Sequence, residues 1–326
     1  MNRFSNALMC LLTAGILMTI AASVTAQQVY PGKPIRMIVP YPPGGGSDAL
    51  ARLLGQKLTE SWGQQLVVDN RPGGNTIIGT EALAKAPPDG YTILLSSSDH
   101  VLLPILLKAP YDPIKDFAPV TTLADGEFIL VLNPSVPANN LQELIALAKS
   151  KPGQLNYATY GSGSRSHLGT EMFSIMVGIQ MQHIPYKGSG PAVTDLLGGQ
   201  VQLHLGTSAS VIPHIKSGKL RAIAISGETR KAAVPQVPTF AEAGLPGFDV
   251  KYWYSILAPA GTPKEIVDKL AIEIARILIM PDVTEKLASQ GMNPFISTPE
   301  QLAALMKAEL ARFTSVIKTA NIKMEN

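Results

Sequence analysis

Ile35-Arg36-Met37-Ile38-Val39-Pro40-Tyr41-Pro42-Pro43-Gly44-Gly45-Gly46-Ser47-Asp48 is the stretch on which the reading of this chain turns. Residues 35–39 read as a buried strand, 40–46 as a loop, and Ser47 opens an amphipathic helix to about Ser61. Glycines ahead of a helix start leave backbone N–H groups pointing outward, where the helix dipole favours an anion. The prolines stiffen the approach. The same residues also suit an ordinary tight strand-to-helix turn capped by Ser47 or Asp48.

Working outward, the alternation repeats. Strands are expected at 66–68, 91–95, 128–132, 155–159, 181–184, 201–205, 220–225 and 250–257. Helices are expected at 77–85, 140–150, 167–177 and 191–197. Asn140 and Glu143 have the spacing of a capping box. Thr262-Pro263-Lys264-Glu265 reads as the opening of a long helix, with Thr262 as N-cap and Pro263 at the first helical position, and Thr298-Pro299-Glu300-Gln301 opens the last in the same way. Strands alternating with helices imply an α/β fold of mostly parallel sheets covered on both faces. A segment near 128–225 inserted into the rest would give two lobes joined by a link that crosses twice.

The first residues indicate the compartment. Arg3 in a short polar start, an apolar run over 7–22 and the small residues Val24-Thr25-Ala26 have the layout of a cleavable secretory signal, with cleavage expected after Ala26. The run is short for a membrane span and lacks a basic stop-transfer flank. Cys10, the one cysteine, falls inside this segment. The secreted chain is therefore expected to have no disulfide, thiol nucleophile or thiolate metal site. Of the 27 Lys and Arg, the signal carries Arg3, so the remainder balances 26 cations against 24 Asp and Glu, a net charge of +2. That balance, without a basic run, excludes a nucleic-acid partner or an electrostatic membrane binder. Aromatic residues make up only 6% of the chain, which argues against a sugar site built on stacked rings.

Enzymatic signatures are sparse. Gly44-x-Gly46-x-x-Ala49 with Asp69 some 20 residues on meets the spacing of a dinucleotide fingerprint. Pro42 and Pro43 widen that loop, however, and a nicotinamide enzyme is not expected in a secreted chain. Gly161-Ser162-Gly163-Ser164 lacks the spacing of a nucleophile elbow. The histidines at 100, 167, 183, 204 and 214 form no i, i+4 pair, so no metal is expected, nor any cofactor. A Ser/His/Asp triad scattered along the chain stays open, because triads are defined by geometry.

Two further loops precede helices. Tyr160-Gly161-Ser162-Gly163-Ser164-Arg165-Ser166-His167 offers N–H groups, hydroxyls and a guanidinium able to grip a carboxylate, or else a solvated, capped turn with Arg165 in water. Tyr186-Lys187-Gly188-Ser189-Gly190-Pro191-Ala192 offers a lysine that suits an anion or plain solvation.

The chain resembles the extracytoplasmic binding receptors of tripartite tricarboxylate transporters, the Bordetella-uptake-gene type. The residues carrying the resemblance include Pro40-Tyr41-Pro42-Pro43-Gly44-Gly45 with Asp48, Asn70-Arg71-Pro72-Gly73, Pro88-Asp89-Gly90-Tyr91-Thr92 and Asp116-Phe117-Ala118-Pro119-Val120. Further along they include Pro185-Tyr186-Lys187-Gly188, Asp195-Leu196-Leu197-Gly198-Gly199, Ala241-Glu242-Ala243-Gly244-Leu245-Pro246-Gly247 and Leu257-Ala258-Pro259-Ala260-Gly261-Thr262-Pro263. It implies a periplasmic, two-lobed Venus-flytrap fold of type II-like layout, lobe 1 spanning 27–127 and 226–326 and lobe 2 spanning 128–225. It implies no catalysis, a small carboxylate as ligand, membrane permease subunits as partners and a monomer. The ligand-binding residues expected in lobe 1 are Tyr41, Gly44, Gly45, Ser47, Asp48 and Ser97. In lobe 2 they are Gly161, Ser162, Gly163, Ser164, Arg165, His167, Tyr186 and Thr207. A sensing subunit for a membrane signalling system needs the same closed, liganded form and is an alternative; a secreted α/β hydrolase is another. Two positions depart from the family pattern. Gly206 stands where many relatives carry an acid, which favours a simple carboxylate over an amino acid. Arg165 stands where relatives carry a small or uncharged residue, and facing the cleft it would hold a distal carboxylate or an aromatic acid.

Overall fold

The computed structural model describes residues 30–107 and 109–320; the expected signal segment, its cleavage point and Cys10 lie outside the described residues. From Lys33 onward the chain forms one compact unit. β1 (Ile35–Val39), α1 (Gly46–Trp62), β2 (Leu66–Asn70), α2 (Ile77–Ala84) and β3 (Thr92–Ser97) follow one another as strand–helix–strand units. β2 and β3 accordingly flank β1 in parallel. A 3₁₀ turn (Ser98–His100) and the short α3 (Leu103–Leu106) lead to the long β4 (Phe117–Leu132). Then come α4 (Leu141–Ser150), β5 (Asn156–Thr159), α5 (Arg165–Val177), β6 (Gln182–Pro185) and α6 (Ser189–Leu197). β7 (Leu203–Thr207), α7 (Ser208–Lys216) and β8 (Arg221–Ile225) close this stretch, in which β5 pairs in parallel with β6 and β7. The chain ends with β9 (Lys251–Pro259), α8 (Lys264–Leu278), α9 (Pro281–Ser289), β10 (Met292–Pro294) and α10 (Pro299–Ala320).

The sheet runs β2-β1-β3-β9-β4-β7-β5-β6, with β8 and β10 also on β4. It is mixed, which corrects the expectation of mostly parallel sheets. β9 is antiparallel to both β3 and β4, and β4 is antiparallel to β7, β8 and β10. Parallel pairing is confined to the two ends, where helices make the crossovers. The centre is reached through loops, which place no such demand. β4 serves both halves: residues 117–127 pair with β9, and 128–132 pair with β7 and β8. The return passage is tied to it. Phe128 N–H donates to Ser226 Oγ at 2.9 Å, Ser226 N–H donates to the Phe128 carbonyl at 2.8 Å, and Ser226 Oγ donates to the Val250 carbonyl at 2.5 Å.

Each half has its own apolar cluster. Ile38, Leu94, Phe117, Trp253 and Leu257 pack with Leu302 and Met306 of α10 on one side. Ile129, Val131, Ala158, Leu196, Val211 and Ile225 pack on the other. Two of the helix starts read from sequence close as capping boxes and a third does not. Asn140 Oδ1 accepts the Glu143 N–H at 2.9 Å, and Thr298 closes a capping box with Gln301. Thr262, expected to cap α8, instead donates its hydroxyl to the Pro259 carbonyl at 2.7 Å, and Pro263 occupies the cap position. Among the described residues no helix is long and apolar enough to cross a membrane.

Candidate functional site

Side chains and loops at the carboxyl ends of β1, β3, β5, β6 and β7 meet at one cavity, the usual place for a ligand in an α/β sheet. It is lined by Tyr41, Pro42, Gly45, Gly46, Ser47, Ser97, Ser98, Asp99, Tyr160, Ser189, Thr207, Tyr252 and Tyr254, and it holds about 430 Å³ of space with its mouth included. Helix starts supply its donors. α1 begins after Gly45, α6 after Gly188 and α7 after Thr207, and none of these caps accepts a helix N–H on its side chain; the Thr207 hydroxyl donates instead to Ser210 Oγ at 2.9 Å. Three sets of end N–H groups with their dipoles therefore converge on residues lining one cavity, an arrangement suited to an anion.

Five of the expected residues line this cavity: Tyr41, Gly45, Ser47, Ser97 and Thr207. The Tyr41 and Ser97 hydroxyls share a 2.7 Å hydrogen bond. Gly44 and Tyr186 lie instead on a more open groove at the rim, with Pro43, Asp195 and His214. Asp48 braces the loop. It accepts from the Gly44 N–H at 3.1 Å, from Asn70 Nδ2 at 3.1 Å and from Arg52 Nε at 3.0 Å. Burial alone would raise its carboxyl, but Arg52, the Gly44 N–H and Asn70 together hold it below the usual aspartate range.

The loop at 160–167 is placed differently from the loop at 41–48. Of its residues, Tyr160 lines the cavity, whereas Gly161, Ser162, Gly163, Ser164, Arg165 and His167 do not. Ser164 Oγ caps α5 by accepting the His167 N–H at 3.3 Å, and Gly163 N–H donates to His167 Nδ1 at 3.0 Å. The first N–H of α5, that of Arg165, donates to Asp99 Oδ1 at 3.0 Å. The protein's own carboxylate thus occupies the helix start where the resemblance implies a ligand. Arg165 is buried, ion-paired with Glu309 of α10 and donating to the Lys251 carbonyl at 3.3 Å. A Cβ at Gly206 would meet Val211 at 2.5 Å and His204 at 2.8 Å, so that position is filled by the protein rather than open to the cavity.

Among the lining residues, the expected set missed Pro42, Gly46, Ser98, Asp99, Tyr160, Ser189, Tyr252 and Tyr254. Tyr252 and Tyr254 stand two apart on β9, the spacing that puts side chains on one face of a strand. Register then sets Tyr254 beside Ser97 and Tyr252 beside Gly126. Ser189 belongs to the third glycine loop, where attention fell on Lys187, an exposed residue. Burial raises the hydroxyl pKa of Tyr41, Tyr160, Tyr252 and Tyr254, so these groups act as neutral donors and acceptors. Among the described residues no cluster of side chains is arranged to hold a metal ion.

A family model described as "Tripartite tricarboxylate transporter family receptor" matches residues 50–322. Protein BugT of Bordetella pertussis is 43% identical over 316 residues, covering 96% of this chain and 95% of that protein. A solved structure described as a periplasmic transporter is 41% identical with a TM-score of 0.88, over 91% of this chain and all of that one (100%). R. palustris Rpa4515, solved with adipate, is 35% identical with a TM-score of 0.87, over 90% of this chain and 99% of that one.

Proposed function

The chain belongs to the tripartite tricarboxylate transporter receptor family, periplasmic solute-binding receptors rather than enzymes, and from that premise we propose that it captures a small organic carboxylate between two lobes and delivers it to membrane permease subunits. One observation carries this reading: the uncapped starts of α1, α6 and α7, from both halves of the sheet, converge on a single cavity. A carboxylate held there would be bound chiefly by N–H groups and hydroxyls, those of Ser47, Ser97, Ser189 and Thr207 among them. The adipate in Rpa4515 supports the ligand class.

The lobes are residues 27–127 with 226–326, and 128–225, hinged where β4 passes Phe128 and the chain returns through Ser226. Ligand bridging both lobes would stabilise the closed form, and that form is what the permease recognises. The receptor works in the periplasm after cleavage behind Ala26, as a monomer. Thermal unfolding of the purified protein against mono-, di- and tricarboxylates, aromatic acids, amino acids and sugars tests the reading. A ligand at about 100 times its dissociation constant adds roughly 2.7 kcal/mol to the folded state. We expect a clear rise in Tm for one carboxylate class, with the compound recovered unchanged. Consumption of the compound, or stabilisation by sugars alone, would remove the proposal.

A further inference from the structure

Among the described residues lining the cavity the one side chain with an acidic or basic charge-bearing group is Asp99, and no lysine, arginine or histidine joins it. Asp99 is 2% exposed and sits at the carboxyl end of β3. It is held as an acceptor on two sides, by the Arg165 N–H at 3.0 Å and by the Tyr160 hydroxyl. Two such donors favour the ionised form, and so does its position at the start of α5. An ionised carboxylate accepts about four hydrogen bonds, so capacity remains for a ligand. The Arg165 guanidinium is turned to Glu309 and the Lys251 carbonyl. Next to Asp99, Ser98 Oγ is buried at 1% exposure and has no hydrogen-bond partner among the described residues, although Ser98 lines the cavity. Four tyrosines, Tyr41, Tyr160, Tyr252 and Tyr254, line the same space. Tyr252 and Tyr254 meet nearly edge to face, with ring centroids 5.3 Å apart.

The cavity therefore carries groups for both an anion and a cation. It joins uncapped helix starts, which favour an anion, to a buried carboxylate among aromatic rings, the setting in which proteins bind ammonium groups. We propose that the ligand is a small zwitterion, a carboxylate that also carries an ammonium or quaternary ammonium group, and that Asp99 and Ser98 receive the cationic end. Burial raises the Asp99 carboxyl above the usual aspartate range, against the pull of the Arg165 charge. A ligand cation offsets that cost, whereas a second ligand carboxylate adds to it. Asp99 thereby takes the role for which the sequence offers no acid at Gly206. The inference rests on the carboxylate-receptor reading and narrows it.

Isothermal titration of the purified protein with matched probes tests it: 4-aminobutyrate against succinate, 6-aminohexanoate against adipate, and glycine betaine against butyrate. At least one zwitterion is expected to bind tenfold or more tighter than its partner, and Asp99→Asn is expected to bring that ratio close to one. A dicarboxylate or butyrate that binds as tightly as its zwitterionic partner overturns the inference and leaves the receptor reading in place. A zwitterion preference that survives Asp99→Asn overturns the role of Asp99. If none of the six probes binds, the inference falls, while the wider carboxylate panel still decides the receptor reading. Should Asp99→Asn fail to fold, the wild-type ratios decide.

Discussion

Gly46 has no room for a side chain, because a Cβ there would come within 2.7 Å of the Ala209 Cβ and 3.5 Å of the Tyr254 hydroxyl. Alanine suits the first turn of α1 locally, where it is the better helix former. Its cost falls on the approach of α1 to α7, which lie in different halves. Gly46→Ala is thus expected to leave the Tm of the free protein within a degree or two while weakening carboxylate binding tenfold or more, about 1.4 kcal/mol, in a calorimetric titration. Unchanged affinity would show that the two halves do not close on this contact. Asp48 and Asp99 mark the limit of legibility at this scale. Both are single aspartates beside helix starts. Asp48, expected among the ligand-binding residues, does not line the cavity and braces the loop through partners that include Gly44 and Arg52, within four residues of it. Asp99 finds Arg165 across 66 residues, a pairing that no local pattern announces.

Buried histidines on particular elements give the fold a pH dependence. His204 of β7 and His100 of the 3₁₀ turn are buried as neutral rings. Each donates one N–H to a carbonyl, that of Ala158 at 2.8 Å and that of Pro113 at 2.9 Å. Burial lowers both pKa values to about 4, and burial next to His167 does the same for His183 of β6. Between the ordinary histidine value near 6.5 and about 4, the unfolded chain binds more protons than the native one, so stability falls as the pH drops through that window. A Tm flat from pH 7 to 8 and declining from 6.5 to 4.5 is expected, each fully buried ring contributing up to about 1.4 kcal/mol per pH unit. A Tm unchanged across the window would contradict it. Most strands and helices were legible from periodicity and flanking glycines and prolines. The first part of β4 was not. The strand passes Pro119 at a bulge, where a missing N–H costs little.

Across the whole molecule, a few contacts join the halves around the cavity. Asn75 Nδ2 donates to the Ser162 carbonyl at 3.0 Å, Arg165 N–H donates to Asp99, and Arg165 pairs with Glu309. Asn75 holds a left-handed backbone at φ 50°, which asparagine and glycine tolerate. Asn75→Gly keeps that backbone and removes the hydrogen bond. It should weaken carboxylate binding by about 1 kcal/mol, roughly fivefold, mostly through faster release in stopped-flow measurements. Equal release rates would show that this contact is not part of closure. The sequence by itself determined the alternating α/β elements and the glycine-rich helix starts, because capping, turn chemistry and periodicity act within a few residues. It also carried the family, through motifs spread along the chain. Only the tertiary structure decided which helix starts face the cavity, that Asp99 accepts the first N–H of α5, and that Tyr254 stands beside Ser97 and Tyr252 beside Gly126. Those relations depend on how β4 and β9 register across the sheet, and hydrogen bonds between strands far apart in the chain set that register.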